Sequence, residues 1–357
     1  MLDLLLFIYI GLIVISVLIQ KGGKTDYLAL ETTTSLRGIA AIGIILHHLS
    51  ERTHNGILFC RLMPMSGYIL VTFFFFLSGY GLVTQYMVKK ENYLNGFIQK
   101  RVSYLLIIYC LDIIIYTIIG NIMGKGYSLW DMAQSLFNAK IPLNAWYMVV
   151  QILFYVFFYI SFVNNKISLE QKIIVVFVLQ TCFLVYCLVR GISNTWYLSN
   201  YGFSLGMIWA RNEKIIREKL QMRYLKVFAM SLVAFLFFYL LPVFTDHICQ
   251  ESIASPIRIV CRLISSPLSV VVVMVIVYKC CPITRIWKHL GTMSLEIYLI
   301  HGLVYTYLRG PWLFIENEFL WTVMTIILTI VIAVPMHVVD NKISLKIKDM
   351  YMLRHNG

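Results

Sequence analysis

Apolar runs of about twenty residues, parted by short stretches that collect Lys and Arg, repeat along this chain from its first residues to about position 340. A stretch of roughly 18 or more residues with few charges is long enough to cross the hydrocarbon layer as a helix. Eleven stretches come near that standard: about 3–20, 35–50, 66–88, 102–123, 142–163, 172–189, 194–210, 225–245, 260–278, 290–308 and 319–339. The second and seventh are short and hold Gly and polar residues, so ten or eleven transmembrane helices are expected. The pattern predicts an all-α polytopic membrane protein. The longest pieces outside the spans, 21–34 and 124–141, are too short to fold alone. Within the second, Leu129, Trp130, Met132, Ala133, Leu136 and Phe137 alternate with polar residues, as in a short helix lying on the membrane surface. The first run has no basic leader and no small-residue cleavage site, so it reads as a retained span.

Composition agrees with this pattern. With 60% apolar and 13% charged residues and a mean hydropathy of +0.78, a water-soluble globule is excluded. The formal charge of +13 would suit a nucleic-acid surface, but its distribution does not. Taken in alternation, one set of loops holds 22 of the 30 Lys and Arg, and the other holds 8. Cytoplasmic loops gather these residues, so the amino terminus is expected outside and the carboxyl terminus in the cytoplasm. The excess then meets anionic membrane lipid, and no nucleic-acid partner is expected. The eight cysteines include no C-x-x-C pair; Cys60, Cys249 and Cys261 fall in or beside outer loops, where pairing is open to them. No internal repeat, low-complexity tract or soluble domain is visible.

Ionisable groups at bilayer depth cost several kcal/mol unless they face protein or water, so they mark candidate sites. Arg37, His47 and His48 lie in one apolar segment, with ten residues between Arg37 and His48. Eleven steps of ~1.5 Å set that pair roughly 16 Å apart in depth, and eleven turns of ~100° return it to nearly one face. Arg37 then sits at the cytoplasmic edge and His48 near or past the midplane, while His47 is turned ~100° away. Gly38, Ala40, Ala41 and Gly43 keep this helix slim, permitting close neighbours or a passage beside it. Taken singly, Arg37 is also explained as a snorkelling anchor and His48 as an interhelical hydrogen-bond partner; together they suggest a polar track.

Further candidates follow along the chain. Ser294, Tyr298 and His301, spaced at four and three, share one stripe, with His301 at about the depth of His48; a helix-end cap beside Gly302 is the other reading of His301. Glu296 lies off that stripe and should find a partner, as should Asp112, alone in its span. Ser78 stands in Leu-Ser-Gly within a run of Phe, without the turn and neighbouring base that a nucleophilic serine needs, so backbone bonding or close packing is expected of it. Trp146 and Tyr147 suit either an interfacial aromatic belt or a sugar-stacking platform. Glu-rich metal-site spacings and phosphate-cradling glycine loops are absent, so neither a metal nor nucleotide hydrolysis is expected.

Leu36-Arg37-Gly38-Ile39-Ala40-Ala41 followed by His48 resembles the Arg-x10-His helix of the acyltransferase-3 family of integral membrane acyltransferases. Phe74-Phe75-Phe76-Leu77-Ser78-Gly79-Tyr80 resembles its Phe-Phe-x-Leu-Ser-Gly-Phe element. Residues 97–109, with Lys100 and Arg101, are similar to its basic loop, and residues 146–155 to its Trp-centred helix. LGTMSLEIYLIH at 290–301 is similar to its late LG-x-x-S-x-x-x-YL-x-H helix. The resemblance runs in the family's order over about 33–340, and divides the chain into an extra span and loop (1–30), a membrane domain (31–341) and a cytoplasmic tail (342–357).

The resemblance implies transfer of an acyl group, most often acetyl from cytoplasmic acyl-CoA, to a hydroxyl of a sugar or lipid-linked glycan at a bacterial cytoplasmic membrane. Arg37, Arg101 and Lys100 would meet the CoA phosphates, which suit the two-pronged guanidinium. His48 would be the base, worth typically ~10²- to 10⁴-fold, or would relay the acyl group covalently. His301, Tyr298, Ser294, Ser78, Trp146 and Gln151 would line the site. Three departures stand out: Tyr104 and Ile107 replace a second Arg and a Pro, Gln151 stands where many members carry Glu, and the span at 3–20 is additional. With no counterpart of the extracytoplasmic esterase-like domain of some members, the acceptor is expected to meet the membrane core itself. A transporter or flippase of similar fold remains the alternative; a membrane scaffold or sensor would have no need of Arg37 and His48 together.

Overall fold

The computed structural model describes residues 1–19 and 26–355. Lys21, Lys24 and the side chain of Arg354, all counted in the basic loops, lie outside the described residues, as do 20–25 of the first loop and 356–357 of the expected tail. The helices are α1 (Leu2–Ile19), α2 (Leu30–Ser50), α3 (Ile57–Leu62), α4 (Gly67–Lys89), α5 (Ser103–Ile122), α6 (Leu129–Asn138), α7 (Trp146–Val163), α8 (Leu169–Val189), α9 (Tyr201–Arg211), α10 (Glu213–Ile248), α11 (Glu251–Lys279), α12 (Arg285–Thr292), α13 (Ser294–Tyr307) and α14 (Glu318–His355). A π-helical turn, Ile98–Val102, leads into α5. Apart from a single bridge between Arg309 and Phe314, the described residues contain no β-structure. The protein is all-α and polytopic, as the hydropathy pattern predicts.

Eight helices are long and apolar enough to cross a membrane unaided: α1, α4, α5 with its π turn, α7, α8, α10, α11 and α14. The other three predicted spans differ for a common reason: protein rather than lipid surrounds them. Helix α2 is 21 residues long but opens on Glu31 and three threonines, and most of its surface is covered by neighbours. The stretch 194–210 is a 3₁₀ turn at Asn194–Trp196 followed by α9, only 11 residues long. The stretch 290–308 breaks at Met293, whose backbone (φ −109°, ψ 26°) separates α12 from α13. Backbone enclosed by protein need not be one unbroken apolar rod.

Two helix pairs meet backbone to backbone. A Cβ on Gly38 of α2 would strike the Trp287 carbonyl of α12, and one on Gly291 would strike the Thr34 carbonyl. On α4 and α9, Gly79 faces the Phe203 carbonyl, Gly202 that of Thr72 and Gly206 that of Phe76. Between helices in lipid the hydrophobic drive is lost, and close van der Waals contact through small residues takes its place. Helix α1 is tied on by Tyr9, whose hydroxyl donates to the Ile39 carbonyl at 2.9 Å. The Asp3 carboxylate accepts from the Ile57 and Phe59 amides at 3.1 and 2.8 Å, satisfying the first turn of α3.

These contacts define two ends of the bundle. Asp3, Glu51 and the start of α14, where Glu318 accepts from the His54 and Asn55 amides at 3.0 Å, lie at one end. Arg37, Arg101 and Tyr351 lie at the other, so α1 starts and α14 finishes at opposite ends. Helix α6 opens with a Ser128–Asp131 capping box and turns Leu129, Trp130 and Phe137 outward, as expected of a surface helix. All eight cysteines are free, so the pairing open to Cys60, Cys249 and Cys261 is not made. Glu296 finds its expected partner in His337, whose Nδ1 is 2.7 Å from Oε1. Asp112 does not: among the described residues neither of its buried carboxylate oxygens is hydrogen-bonded.

A methyl group on Gly291 must push α2 and α12 apart, an overpacking cost of about 1–3 kcal/mol. Gly291→Ala is expected to melt several degrees below the wild type in detergent. Gly11→Ala, where a Cβ meets open space, should melt at or above it; equal melting of both variants would overturn the close contact.

Candidate functional site

Three cavities follow one another from the Arg37 end toward the Glu51 end. The first, about 360 Å³, is walled by Arg37, Leu77, Ser78, Tyr80, Arg101 and Tyr155. The second, about 240 Å³, shares Arg37, Leu77, Ser78, Arg101 and Tyr155 with the first and adds Tyr147, Gln151, Ser294 and Tyr298. The third, about 170 Å³, holds His47, His48, Glu51, Tyr68, Trp146 and Arg262, and meets the second at Tyr298. Arg37 and His48 thus open onto one line of cavities from a single helix, with Tyr298 as the partition between them.

The walls near Arg37 are fixed by hydrogen bonds between α4 and α7 and by one within α7. Ser78 Oγ of α4 donates to the Tyr155 hydroxyl of α7 at 3.0 Å and accepts from Gln151 Nε2 at 3.0 Å. The Tyr147 hydroxyl donates to Gln151 Oε1 at 3.2 Å. Backbone bonding or close packing is expected of Ser78; its hydroxyl instead bonds side chains of α7 and so joins two helices, while Gly79 beside it packs on α9. The Gln151 amide both donates and accepts here, which an ionised carboxylate cannot do. Tyr298 donates to the Asn144 carbonyl at 2.7 Å and packs its ring 4.9 Å from that of Tyr147.

Arg101 and Lys100 part company. The extra residue in the π turn aims Arg101 at the first two cavities. Lys100 Nζ lies 3.8 Å from the centre of the Tyr351 ring and lines none of the three.

Around His48 the geometry is tighter. Glu51, one residue past α2, reaches back to both histidines: Oε2 is 3.3 Å from His48 Nδ1 and Oε1 is 3.8 Å from His47 Nε2. A carboxylate only accepts, so His48 carries its proton on Nδ1 and leaves Nε2 with a lone pair. His47 Nδ1 donates to the Met63 carbonyl at 3.0 Å, and its ring occupies space that a Cβ on Gly67 would fill. The sequence turned His47 away from His48, yet its ring lies 4.6 Å from that of its neighbour and it shares Glu51. His301 stacks on His48 with 5.2 Å between centroids and 21° between planes. Its Nδ1 donates to the Tyr298 carbonyl at 2.6 Å, and Nε2 faces Asn144 Nδ2 at 3.5 Å. Helix α13 runs on to Tyr307, so His301 caps no helix end; it is a fully buried wall against which His48 lies.

Burial by itself raises the Glu51 carboxyl. The hydrogen bond from His48 and the neighbouring His47, His48 and Arg52 outweigh it and hold the carboxyl below its ordinary value. His47, His48 and Glu51 also present three ligand atoms within 4.8 Å of one another, a donor set that suits a divalent cation such as zinc. Glu51 went unnoticed in the sequence although its i+3 and i+4 spacing to the two histidines was legible there. Tyr155, Asn144 and Arg262 gave no such signal, since they reach the site from α7, the turn before it and α11.

A family model described as an acyltransferase domain matches residues 34–338 of the chain. No curated protein and no solved structure matches it.

A carboxyl held below its ordinary value stabilises the fold fully above that value, and the contribution is lost as pH falls through the depressed one. Glu51→Gln is therefore expected to lower the melting temperature at neutral pH, with the gap closing only below the ordinary carboxylate range. A gap that vanishes in mildly acidic buffer would show that Glu51 is not held in this way.

Proposed function

The chain belongs to the acyltransferase domain family, the membrane acyltransferases of the acyltransferase-3 type. From that premise we propose that it moves an acyl group, acetyl first among candidates, from cytoplasmic acyl-CoA to a hydroxyl of a carbohydrate or lipid-linked glycan. The observation that carries this reading is the line of cavities with two guanidinium groups at one end and an oriented imidazole at the other. The surplus of Lys and Arg on one set of loops supports the Arg37 end as cytoplasmic.

In this reading the phosphates of acyl-CoA lie against Arg37 and Arg101, which approach from α2 and the π turn and offer forked donors. The pantetheine arm passes Ser78, Tyr155 and Gln151, and the thioester comes to rest near Tyr298. The acceptor enters the cavity at the Glu51 end. His48 Nε2 takes the proton from its hydroxyl, and the oxygen attacks the thioester carbonyl carbon. The C–S bond breaks, the acyl group stays on the acceptor oxygen, and the CoA thiolate leaves with the proton returned from Nε2. Glu51 accepts from Nδ1 throughout and stabilises the imidazolium that forms in between, while the stacked His301 keeps the ring plane from turning. Lys100 has no part in this scheme, since its ammonium is spent on Tyr351.

Removing a positioned base costs typically ~10²- to 10⁴-fold in rate. His48→Ala is expected to lower kcat for acetyl-CoA consumption by that factor with little change in KM. Loss of a charged hydrogen-bonding group is worth about 1.5–3 kcal/mol, so Arg37→Gln should raise KM for acetyl-CoA ~10-fold or more. Turnover unaltered by both variants rejects the site. Solute flux in proteoliposomes without CoA release supports a transporter instead.

A further inference from the structure

Arg262 is the charged group in the His48 cavity that neither the fold nor the mechanism uses. It stands on α11, half-buried, with its side chain against the same space as His48 and Glu51. Among the described residues its guanidinium has no hydrogen bond, ion pair or aromatic ring to rest on. Nearby cations are otherwise occupied. Arg258, one turn earlier on α11, binds Asp246 at 2.7 Å and Glu251 at 3.2 Å. Arg52 lies over the Tyr305 ring at 4.5 Å and is 3.5 Å from Glu51. Glu51, the carboxylate of this cavity, is engaged by His48, His47 and Arg52, which leaves Arg262 without a counter-charge.

A guanidinium has five donors and cannot shed its charge, and a cation held against a cavity wall is costly unless an anion or water meets it. A neutral sugar would be served by the aromatic and hydroxyl groups already there and would leave those donors unmatched. An oxyanion would match them in paired fashion.

We propose that the acceptor alcohol carries an anionic group, a phosphate or a carboxylate, and that Arg262 binds it while the hydroxyl faces His48. This rests on the reading above, which puts the acceptor beside His48, and it narrows the acceptor to an acidic or phosphorylated glycan. Arg262 holds one end of the acceptor and Trp146 and Tyr298 flank its body, so the hydroxyl that reaches Nε2 is selected by its distance from the anion.

Binding tests the idea without requiring turnover. The full-length protein in detergent, saturated with CoA so that Arg37 and Arg101 are occupied, is melted with increasing glucose, glucose 1-phosphate, glucuronate or inorganic phosphate. At least one charged sugar should raise the melting temperature at concentrations ~10-fold below those glucose requires. Arg262→Gln should erase that advantage, and Arg262→Lys should restore part of it. CoA should stabilise Arg262→Gln as it does the wild type, showing that the variant is folded. A greater gain from glucose 1-phosphate identifies a phosphate group, and from glucuronate a carboxylate. An advantage that survives Arg262→Gln, or the absence of any advantage in the wild type, overturns the proposal. His48→Ala separates the two readings: it should lose turnover yet keep the preference for the charged sugar.

Discussion

Direct contact between helix backbones is the constraint on which the rest of this structure depends. Gly38 and Gly291 let α2 and α12 touch through their peptide groups, and Gly79, Gly202 and Gly206 do the same for α4 and α9. In a bilayer, apolar side chains gain little by leaving lipid for protein, so association relies on contact area at short range. Each pair therefore packs as one unit. Helix α2 presents Arg37 and His48 from the unit it forms with α12, and α4 presents Ser78 from the unit it forms with α9. The cavities lie where α7 and α13 close over these two.

Polar side chains then fasten α7 to α4 and α13 to the stretch before α7. Ser78, Gln151, Tyr147 and Tyr155 form one hydrogen-bonded set spanning α4 and α7, and Tyr298 ties α13 to the backbone before α7 through the Asn144 carbonyl. The same peptide stretch contributes Asn144 Nδ2 to the environment of His301. Apart from the Tyr147–Gln151 bond within α7, the partners come from different parts of the fold, so each of these bonds fixes a position and not merely a rotamer. This is how a cavity wall of small polar groups stays open in a membrane interior, where an unsatisfied group costs several kcal/mol.

Charge is managed differently at the two ends. At the Glu51 end a single carboxylate orients two imidazoles and approaches an arginine. Away from the site, Glu296 and His337 pair between α13 and α14, and Asp112 stands buried without a hydrogen bond among the described residues.

Much of this protein was legible in the chain alone. Hydropathy and loop charge are sums over neighbouring residues, so the membrane class, the long spans, the capped surface helix at Leu129–Asn138 and the shared face of Arg37 and His48 follow from local physics. The glycines were legible as small residues, and Glu51 as a neighbour three and four positions from the histidines. Tertiary structure decided what depends on other helices. It kept α2, α9 and the broken α12–α13 within the bundle, since enclosure by protein removes the demand for long apolar rods. It also turned Lys100 to Tyr351, stacked His301 on His48, joined Ser78 to α7 and left Arg262 facing a cavity. Those outcomes turn on which helix faces meet, and helical periodicity fixes a residue's direction from its own axis but not what stands opposite.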